Sequence, residues 1–496
     1  MKKAVAQILS GNVLSKGLGL LREILMAKYF GTAEVNGAYR ISQTGTLVPI
    51  NFLTSDSLNS AFIPLYKNYL KNDVDKARVF KWSMFLFFFI FSILLFCLLY
   101  FNSGFWVDLL APGVDSKTRY MSVELLKIMA VSCPFYLCSA LINYISMAHG
   151  NYKPMALRSS IQNIGMLIGV LCAFWWGNYL LLAWGFTFSY IFFCLWSLFF
   201  GDIDEILSMP NKFSLPEIKK VIISFWNVLK PLLLMPLVLQ GNIILERALS
   251  SYISLDAVSA LDYAKFITET VLYFLSVPIA FVGLSTWASL ELEVVKDKLN
   301  KIYIPLLCLS LYVSFFLLLH SEDIIYFLFH RGKFDESSVI TTALFVKGMS
   351  IGLWAQVIGY IFIKALNSHL KNKQVFIIMC ISLVGNSIFN TLIYKYWGAF
   401  GIGLGNSIYG ILLLIGSAIY MKVFRMLWRP LIEILAGVVL YYLIIDMFPI
   451  LELNEINVLY SIVINALTLA VYLFLWCMLF SDIRFCLFSY YRKVIN

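Results

Sequence analysis

Three ionisable side chains stand in the middle of an apolar stretch near the start of the chain, where residues 15–32 read SKGLGLLREILMAKYFGT. They are Lys16, Arg22 and Glu23. A charge at the centre of a bilayer costs about 2.5–3.5 kcal/mol on insertion scales, so such residues mark functional sites. Arginine binds phosphate or carboxylate through two parallel hydrogen bonds, and lysine supplies a point charge. The excess of cations therefore predicts a cavity that binds an anionic substrate.

The composition shows which kind of element must position these charges. The chain has 496 residues, of which 60% are hydrophobic and 13% are charged, whereas soluble domains carry roughly 25% charged residues. Fourteen apolar segments of about 20 residues each predict an all-α, polytopic membrane protein. The predicted transmembrane helices lie near 5–29, 35–63, 82–104, 119–148, 155–176, 179–200, 221–249, 258–289, 302–320, 339–363, 375–394, 398–420, 430–447 and 457–480.

The basic residues are distributed unevenly over the connections between these helices. If the N-terminus is cytoplasmic, the inward segments hold 24 Lys and Arg and the outward ones hold five. The positive-inside rule then predicts that both termini are cytoplasmic. Since the net charge of +10 lies along one membrane face, where anionic lipids attract it, the charge does not indicate nucleic-acid binding.

A long connection after the sixth helix predicts how the chain is divided. Residues 1–200 form an N-lobe of six helices, 201–220 a cytoplasmic linker, and 221–420 a C-lobe of six helices. Residues 421–496 add helices 13 and 14 and a cytoplasmic tail. Parallel repeats of this kind are typical of secondary transporters.

The other charges predicted to lie in the membrane fall on corresponding helices of the two lobes. They are Arg40 and Asp56 in helix 2, Glu246 and Arg247 in helix 7, and Asp262, Lys265 and Glu269 in helix 8. In helix 2, Asn51 shares a face with Arg40. This symmetry favours a shared central cavity, although the three helix 8 charges could equally neutralise one another. Glu246 and Arg247 could likewise cap the outer end of helix 7.

Two sets of candidate residues follow from these positions. The candidate substrate-binding residues are Lys16, Arg22, Glu23, Arg40, Asn51, Arg247 and Lys265. The candidates for ion coupling are Asp262, Glu269 and Glu246. No catalytic residue, metal site or cofactor is expected, and sodium ions, protons or the membrane potential are compatible as the energy source.

Several short motifs occur in a fixed order along the chain. Ser15-Lys16-Gly17-Leu18-Gly19-Leu20-Leu21-Arg22-Glu23 is followed by Phe30-Gly31, then by AFIP at 61–64, VSALDYA at 258–264 and RGKF at 331–334. In these motifs the chain resembles the MurJ (MviN) lipid II flippase family of the MOP transporter superfamily. The resemblance runs through nearly the whole chain, and the family also has fourteen helices.

The resemblance implies a fold and a mechanism. Two six-helix lobes would form a MATE-like V around a cationic cavity, and helices 13 and 14 would shape a groove for a polyprenyl tail. The implied activity is alternating-access flipping of a polyprenyl-diphosphate-linked glycan, such as a lipid II-like peptidoglycan precursor, across the bacterial inner membrane. Arg22 would keep the family's diphosphate-binding arginine, and Lys16 would replace another.

The chain also departs from the family pattern at identifiable positions. The family's acidic residue after helix 1 is Gly37 here, and its paired helix 2 arginines fall at Ile50 and Asn51. Its helix 8 arginine is replaced by Phe266, next to Lys265. Arg40 is an addition that would compensate for a lost cation.

Other functions are compatible with a fourteen-helix transporter. One alternative is an O-antigen or capsule repeat-unit exporter, and another is a MATE-type cation or drug antiporter, which would favour an acidic cavity. An enzyme is not expected, because the outward connections near 102–118 and 321–338 are too short for a catalytic domain. The expected partners are a lipid-linked glycan substrate and membrane lipids, with the protein acting as a monomer.

Overall fold

The computed structural model describes residues 2–54, 56–210, 214–287, 290–369, 371–447 and 458–485, and these residues form helices and no strand. The first nine helices are α1 (Lys2–Phe30), α2 (Glu34–Thr54), α3 (Asp56–Asn72), α4 (Val74–Phe101), α5 (Ser103–Leu110), α6 (Ser116–Ala130), α7 (Cys133–Ala148), α8 (Lys153–Trp175) and α9 (Leu180–Phe200). The remaining nine are α10 (Ile203–Leu207), α11 (Leu215–Leu229), α12 (Leu234–Ile253), α13 (Leu255–Trp287), α14 (Leu292–Phe329), α15 (Glu336–Ser368), α16 (Asn372–Met421), α17 (Phe424–Met447) and α18 (Val458–Met478). The predicted all-α fold is confirmed, and the tail at 486–496 lies outside the described residues.

Membrane spans can be recognised by the length and apolarity of these helices. Within the described residues, eight helices are long and apolar enough to cross a bilayer, and two bent pairs would bring the number to ten. The charged helices α1, α2 and α13 are not among the eight. The count of fourteen spans therefore stays a prediction.

Three of the segments predicted as single helices are each covered by two helices, and the one predicted at 35–63 is covered by α2 and α3. The segment predicted at 119–148 consists of α6 and α7, which meet at an angle of 44°. Pro134 lies in the first turn of α7, where its missing N–H would have no partner in any case. The segment predicted at 221–249 consists of α11 and α12, which a short 3₁₀ turn at Lys230–Leu232 separates and which meet at 62°.

Two predicted helices, 375–394 and 398–420, run together as α16, which is 50 residues long. The helix is kinked at Gly398, whose backbone has φ +51° and ψ −130°. Residues other than glycine rarely adopt this backbone conformation. The kink falls at the predicted start of the second helix.

The described chain separates into two compact units. Unit 1 comprises Met1–Ser259 and Arg331–Phe334, and unit 2 comprises Ala260–His330 and Asp335–Asn496. Unit 1 has a core of aromatic and aliphatic side chains that includes Phe62, Phe80 and Tyr190. Unit 2 has its own core, which includes Trp287 and Phe362.

Small residues bring α8 close to the helices on either side of it. A Cβ atom added at Gly169 would lie 2.8 Å from the Cα of Gly185 in α9, and one added at Gly11 would lie 2.2 Å from the carbonyl oxygen of Ala156. Such contacts between backbones are a common way of packing helices in membranes, where apolar burial gives no net attraction. They fix α8 against both α1 and α9.

The end of α1 is joined to the segment 331–334 within unit 1. The Lys333 amide donates to the carbonyl oxygen of Lys28 at 3.0 Å. Gly31 has φ +62°, and a Cβ atom there would lie 2.4 Å from the Lys333 carbonyl oxygen. The Phe30-Gly31 and RGKF motifs, which are far apart in the sequence, therefore meet in space.

Candidate substrate-binding site

A buried carboxylate lies at the centre of the charged residues predicted in helices 1 and 2. Glu23 accepts a hydrogen bond from Arg22 Nη2 at 2.5 Å and forms an ion pair with Arg40 Nη2. Arg40 Nη1 adds a longer contact of 3.3 Å. The side chains of Glu23 and Arg40 are only 3% and 5% exposed. The structure thus brings three of the predicted residues into one cluster with a net charge of +1.

Arg22 keeps donor groups directed away from Glu23. Its Nη1 donates to Asn163 Oδ1 at 2.9 Å and contacts Met166 Sδ at 3.3 Å. Asn163 in turn donates to the carbonyl oxygen and the hydroxyl of Ser15. These contacts tie the guanidinium to α8, while the Arg22 side chain remains 15% exposed. Arg22 is therefore the most accessible member of the cluster.

Arg40 is oriented by its own helix as well as by Glu23. Its Nε donates to Asn36 Oδ1 at 3.2 Å, one turn earlier in α2. Asn36 donates in turn to the carbonyl oxygen of Gly31 at 2.5 Å. Because all of these groups are buried, the guanidinium is held in one orientation by hydrogen bonds on both of its edges.

Arg247 and Glu246 lie in α12 and belong to unit 1. Both are buried, at 5% and 1% exposure. Arg247 donates to the carbonyl oxygen of Val258 at 2.5 Å and to the Thr44 hydroxyl at 3.1 Å. Glu246 accepts a hydrogen bond from Asn242 at 3.1 Å. Because Thr44 lies in α2, Arg247 approaches the helix that carries Arg40.

Asn51 does not join the Glu23 cluster but contacts Tyr136, which is not among the candidate residues. It accepts a hydrogen bond from the Tyr136 hydroxyl at 3.2 Å. The same hydroxyl accepts a hydrogen bond from Arg158 Nη2. Arg158 falls within the predicted helix 155–176 but is not among the candidate residues, and the structure places it in the second turn of α8. The polar run RSSIQN at 158–163, inside an otherwise apolar helix, was the available signal.

The remaining candidates fall into two groups. Lys16 is half-buried in α1, on the side of the helix that carries the buried residue Glu23. Asp262 and Lys265 are half-buried and Glu269 is exposed in α13, and all three belong to unit 2. A binding or coupling role for these residues stays a prediction.

The interior of unit 1 carries more positive than negative charge. Among the described residues of unit 1, the buried carboxylates are Glu23 and Glu246, whereas the buried or half-buried cations include Lys16, Arg22, Arg40, Arg158 and Arg247. Guanidinium groups in a poorly hydrated site gain from any anion that replaces lost water, and phosphate accepts two hydrogen bonds from each fork. The arrangement is therefore suited to binding an anion with several oxygens.

Comparisons with known proteins agree with this architecture. A model of the family described as lipid II flippase MurJ matches residues 26–490. A probable lipid II flippase MurJ of Thermotoga maritima is 25% identical over 411 residues, covering 82% of each chain. Another, of Buchnera aphidicola subsp. Acyrthosiphon pisum, is 27% identical over 434 residues, covering 80% of this chain and 79% of its own.

Solved structures share the same fold. A lipid II flippase MurJ in an inward closed conformation superposes with a TM-score of 0.81 at 21% identity, covering 99% of both chains. An inward-facing multidrug resistance MATE family transporter of the MOP superfamily gives a TM-score of 0.68 at 13% identity, covering 83% of this chain and 94% of its own. Since the family model spans most of the sequence, the chain belongs to the lipid II flippase MurJ family.

Proposed function

We propose that this protein flips a polyprenyl-diphosphate-linked glycan, a peptidoglycan precursor of the lipid II type, across the bacterial inner membrane. The single observation that carries the proposal is the buried Arg22–Glu23–Arg40 cluster, which has a net positive charge and lies in a chain of the lipid II flippase family. In this role the protein is a transporter rather than an enzyme.

The substrate would bind through its diphosphate. Arg22 would bind the diphosphate first, because its side chain is more accessible than that of Arg40. Its Nη1 group already donates to a neutral acceptor, Asn163. Lys16, Arg40, Arg247 and Lys265 would add positive charge. The lipid tail would stay in the bilayer while the sugar head group crosses through the protein.

Alternating access would supply the movement. The MATE family structures with which the chain shares its fold are described as inward-facing and outward-facing. We propose that the N-lobe (1–200) and C-lobe (221–420) rock about the linker 201–220, with both termini in the cytoplasm. Asp262, Glu269 and Glu246 are the candidates for coupling this movement to sodium ions, protons or the membrane potential.

Complementation of a flippase-depleted strain tests the proposal. A charge-assisted hydrogen bond contributes roughly 1.5–3 kcal/mol, so its loss weakens binding by about ten- to a hundredfold. Arg22→Ala should abolish complementation, and Arg22→Lys should restore only part of it because an ammonium lacks the bidentate fork. Lys16→Arg should be tolerated. Membrane abundance is checked by immunoblot, and normal growth with Arg22→Ala at wild-type abundance would refute the proposal.

A further inference from the structure

A further cation of unit 1, Arg158, lies outside the Glu23 cluster. Arg158 in α8 is half-buried inside a helix that is apolar enough to span a membrane. Its guanidinium lies 4.8 Å from the centre of the Tyr136 ring and donates to the hydroxyl of that residue. Among the described residues, its printed contacts are with Tyr136, and it forms no ion pair with a carboxylate. A half-buried charge without a counter-charge inside such a helix indicates a function.

A neighbouring side-chain amide has a donor group without a hydrogen-bond partner among the described residues. Gln162 follows Arg158 by one turn on the same face of α8 and is 7% exposed. Its Nε2 group is buried and has no hydrogen-bond partner among the described residues. A buried amide N–H without an acceptor is unfavourable, so Arg158 and Gln162 together offer at least two donor groups to a ligand that can accept hydrogen bonds.

The position of this pair connects it to Arg22. Arg158 and Asn163, the partner of Arg22, are separated by about 7.5 Å along the axis of α8. The Tyr190 ring stacks on the Tyr136 ring, with 4.9 Å between the ring centres. Arg22, through Asn163, and Arg158 itself are therefore connected to the same helix about one and a half turns apart.

We infer that Arg158 and Gln162 form a second oxyanion subsite, which takes a phosphate group of the lipid-linked diphosphate. The inference rests on the proposed function, because it is the diphosphate that would occupy the subsite. Tyr136 and Asn51 act as positioning residues, since the Tyr136 hydroxyl donates to Asn51 Oδ1 and accepts from Arg158. The anion would pass between the Arg22 and Arg158 subsites along α8.

Binding measurements on the detergent-purified protein test the subsite. The probes are inorganic diphosphate and farnesyl diphosphate, which distinguish a free anion from a lipid-linked one. Arg158→Gln should weaken diphosphate binding by about ten- to a hundredfold, and Gln162→Leu should weaken it by a smaller factor. Arg158→Lys should recover part of the loss. Lys153→Gln is the matched control, because Lys153 is an exposed residue of the first turn of the same helix.

The possible outcomes separate the subsite from the wider function. If the wild-type protein binds farnesyl diphosphate and Arg158→Gln binds it as tightly as Lys153→Gln does, the subsite is refuted and the proposed function stands. If the wild-type protein binds neither probe, the proposed function fails and the subsite fails with it. Tyr136→Phe removes the hydroxyl but keeps the guanidinium, so a purely structural Arg158 would make this variant as defective as Arg158→Gln. Tighter binding by Tyr136→Phe than by Arg158→Gln supports the subsite.

Discussion

Replacing Glu23 by glutamine should separate the stability of the buried cluster from its function. Glu23 is the shared acceptor for Arg22 and Arg40, and its side chain is only 3% exposed. A glutamine has nearly the same shape, but only its oxygen can accept from a guanidinium. The amide nitrogen then faces the other arginine, and two positive charges are left close together.

The expected loss of unfolding free energy depends on which charged side chain of the cluster loses its partner. Removing one member of a buried ion pair costs about 3–5 kcal/mol, because the remaining charge is left uncompensated. Arg40→Gln should cost less, about 1.5–3 kcal/mol for lost charge-assisted hydrogen bonds, since Glu23 keeps Arg22. In the double variant one uncompensated guanidinium remains instead of two close together, so the combined cost should fall below the sum of the single costs by about 0.5–3 kcal/mol.

Titration with a denaturing detergent gives the unfolding free energy, and farnesyl diphosphate binding gives the functional effect. The net charge of the cluster is +1 in the wild type, zero in Arg40→Gln, and again +1 in Glu23→Gln/Arg40→Gln. Diphosphate affinity should therefore be lower in Arg40→Gln than in the double variant, although the double variant is the less stable protein. If Glu23→Gln unfolds like the wild type, or the double variant binds more weakly than Arg40→Gln, the interpretation of the cluster is wrong.

Three further predictions concern topology, ion coupling and the contact at the end of α1. Reporter fusions after residues 72 and 490 should be cytoplasmic and one after 113 periplasmic, and a periplasmic C-terminus would contradict the fourteen-helix topology. Asp262→Asn or Glu269→Gln should abolish the ion dependence of flipping while leaving diphosphate binding intact, and unchanged ion dependence in both would remove them as coupling residues. Gly31→Ala should lower the unfolding free energy by more than about 1–2 kcal/mol, because it combines a left-handed backbone with a contact of 2.4 Å to the Lys333 carbonyl oxygen. Gly17→Ala is its control, since a Cβ atom there meets nothing within 4 Å, and equal stability of the two variants would contradict the argument.

The sequence was informative where the bilayer itself constrains the chain. Long apolar runs predicted the helices because every backbone group in hydrocarbon must be bonded within its own segment. The Lys16, Arg22 and Glu23 stretch stood out for the same reason, since charges are rare at that depth. The bend between α6 and α7 was missed although Pro134 is visible in the sequence, because apolarity continues across it.

Partners between helices could not be read from periodicity. The pairing of Glu23 with both arginines depends on how α1 and α2 rotate about their axes, and a helical wheel places Arg22 to one side of the Glu23 face. Arg158 does not stand out as a candidate because it is only five residues into α8, where a basic residue usually faces the cytoplasm. Only the tertiary structure shows that it donates to Tyr136, which in turn donates to Asn51.

Under the proposed function, the carboxylate inside a cation-rich site has a clear physical purpose. A flippase must release its substrate on the far side, so binding must be strong enough for entry and weak enough for exit, as it is in ion-conducting sites. Without Glu23, two guanidiniums would face the diphosphate with their full charge and hold it tightly. With Glu23, each guanidinium that turns to the phosphate gives up part of an existing ion pair, so the net gain is moderated. When the substrate leaves, the same carboxylate takes back both arginines and restores the buried cluster for the return of the empty transporter.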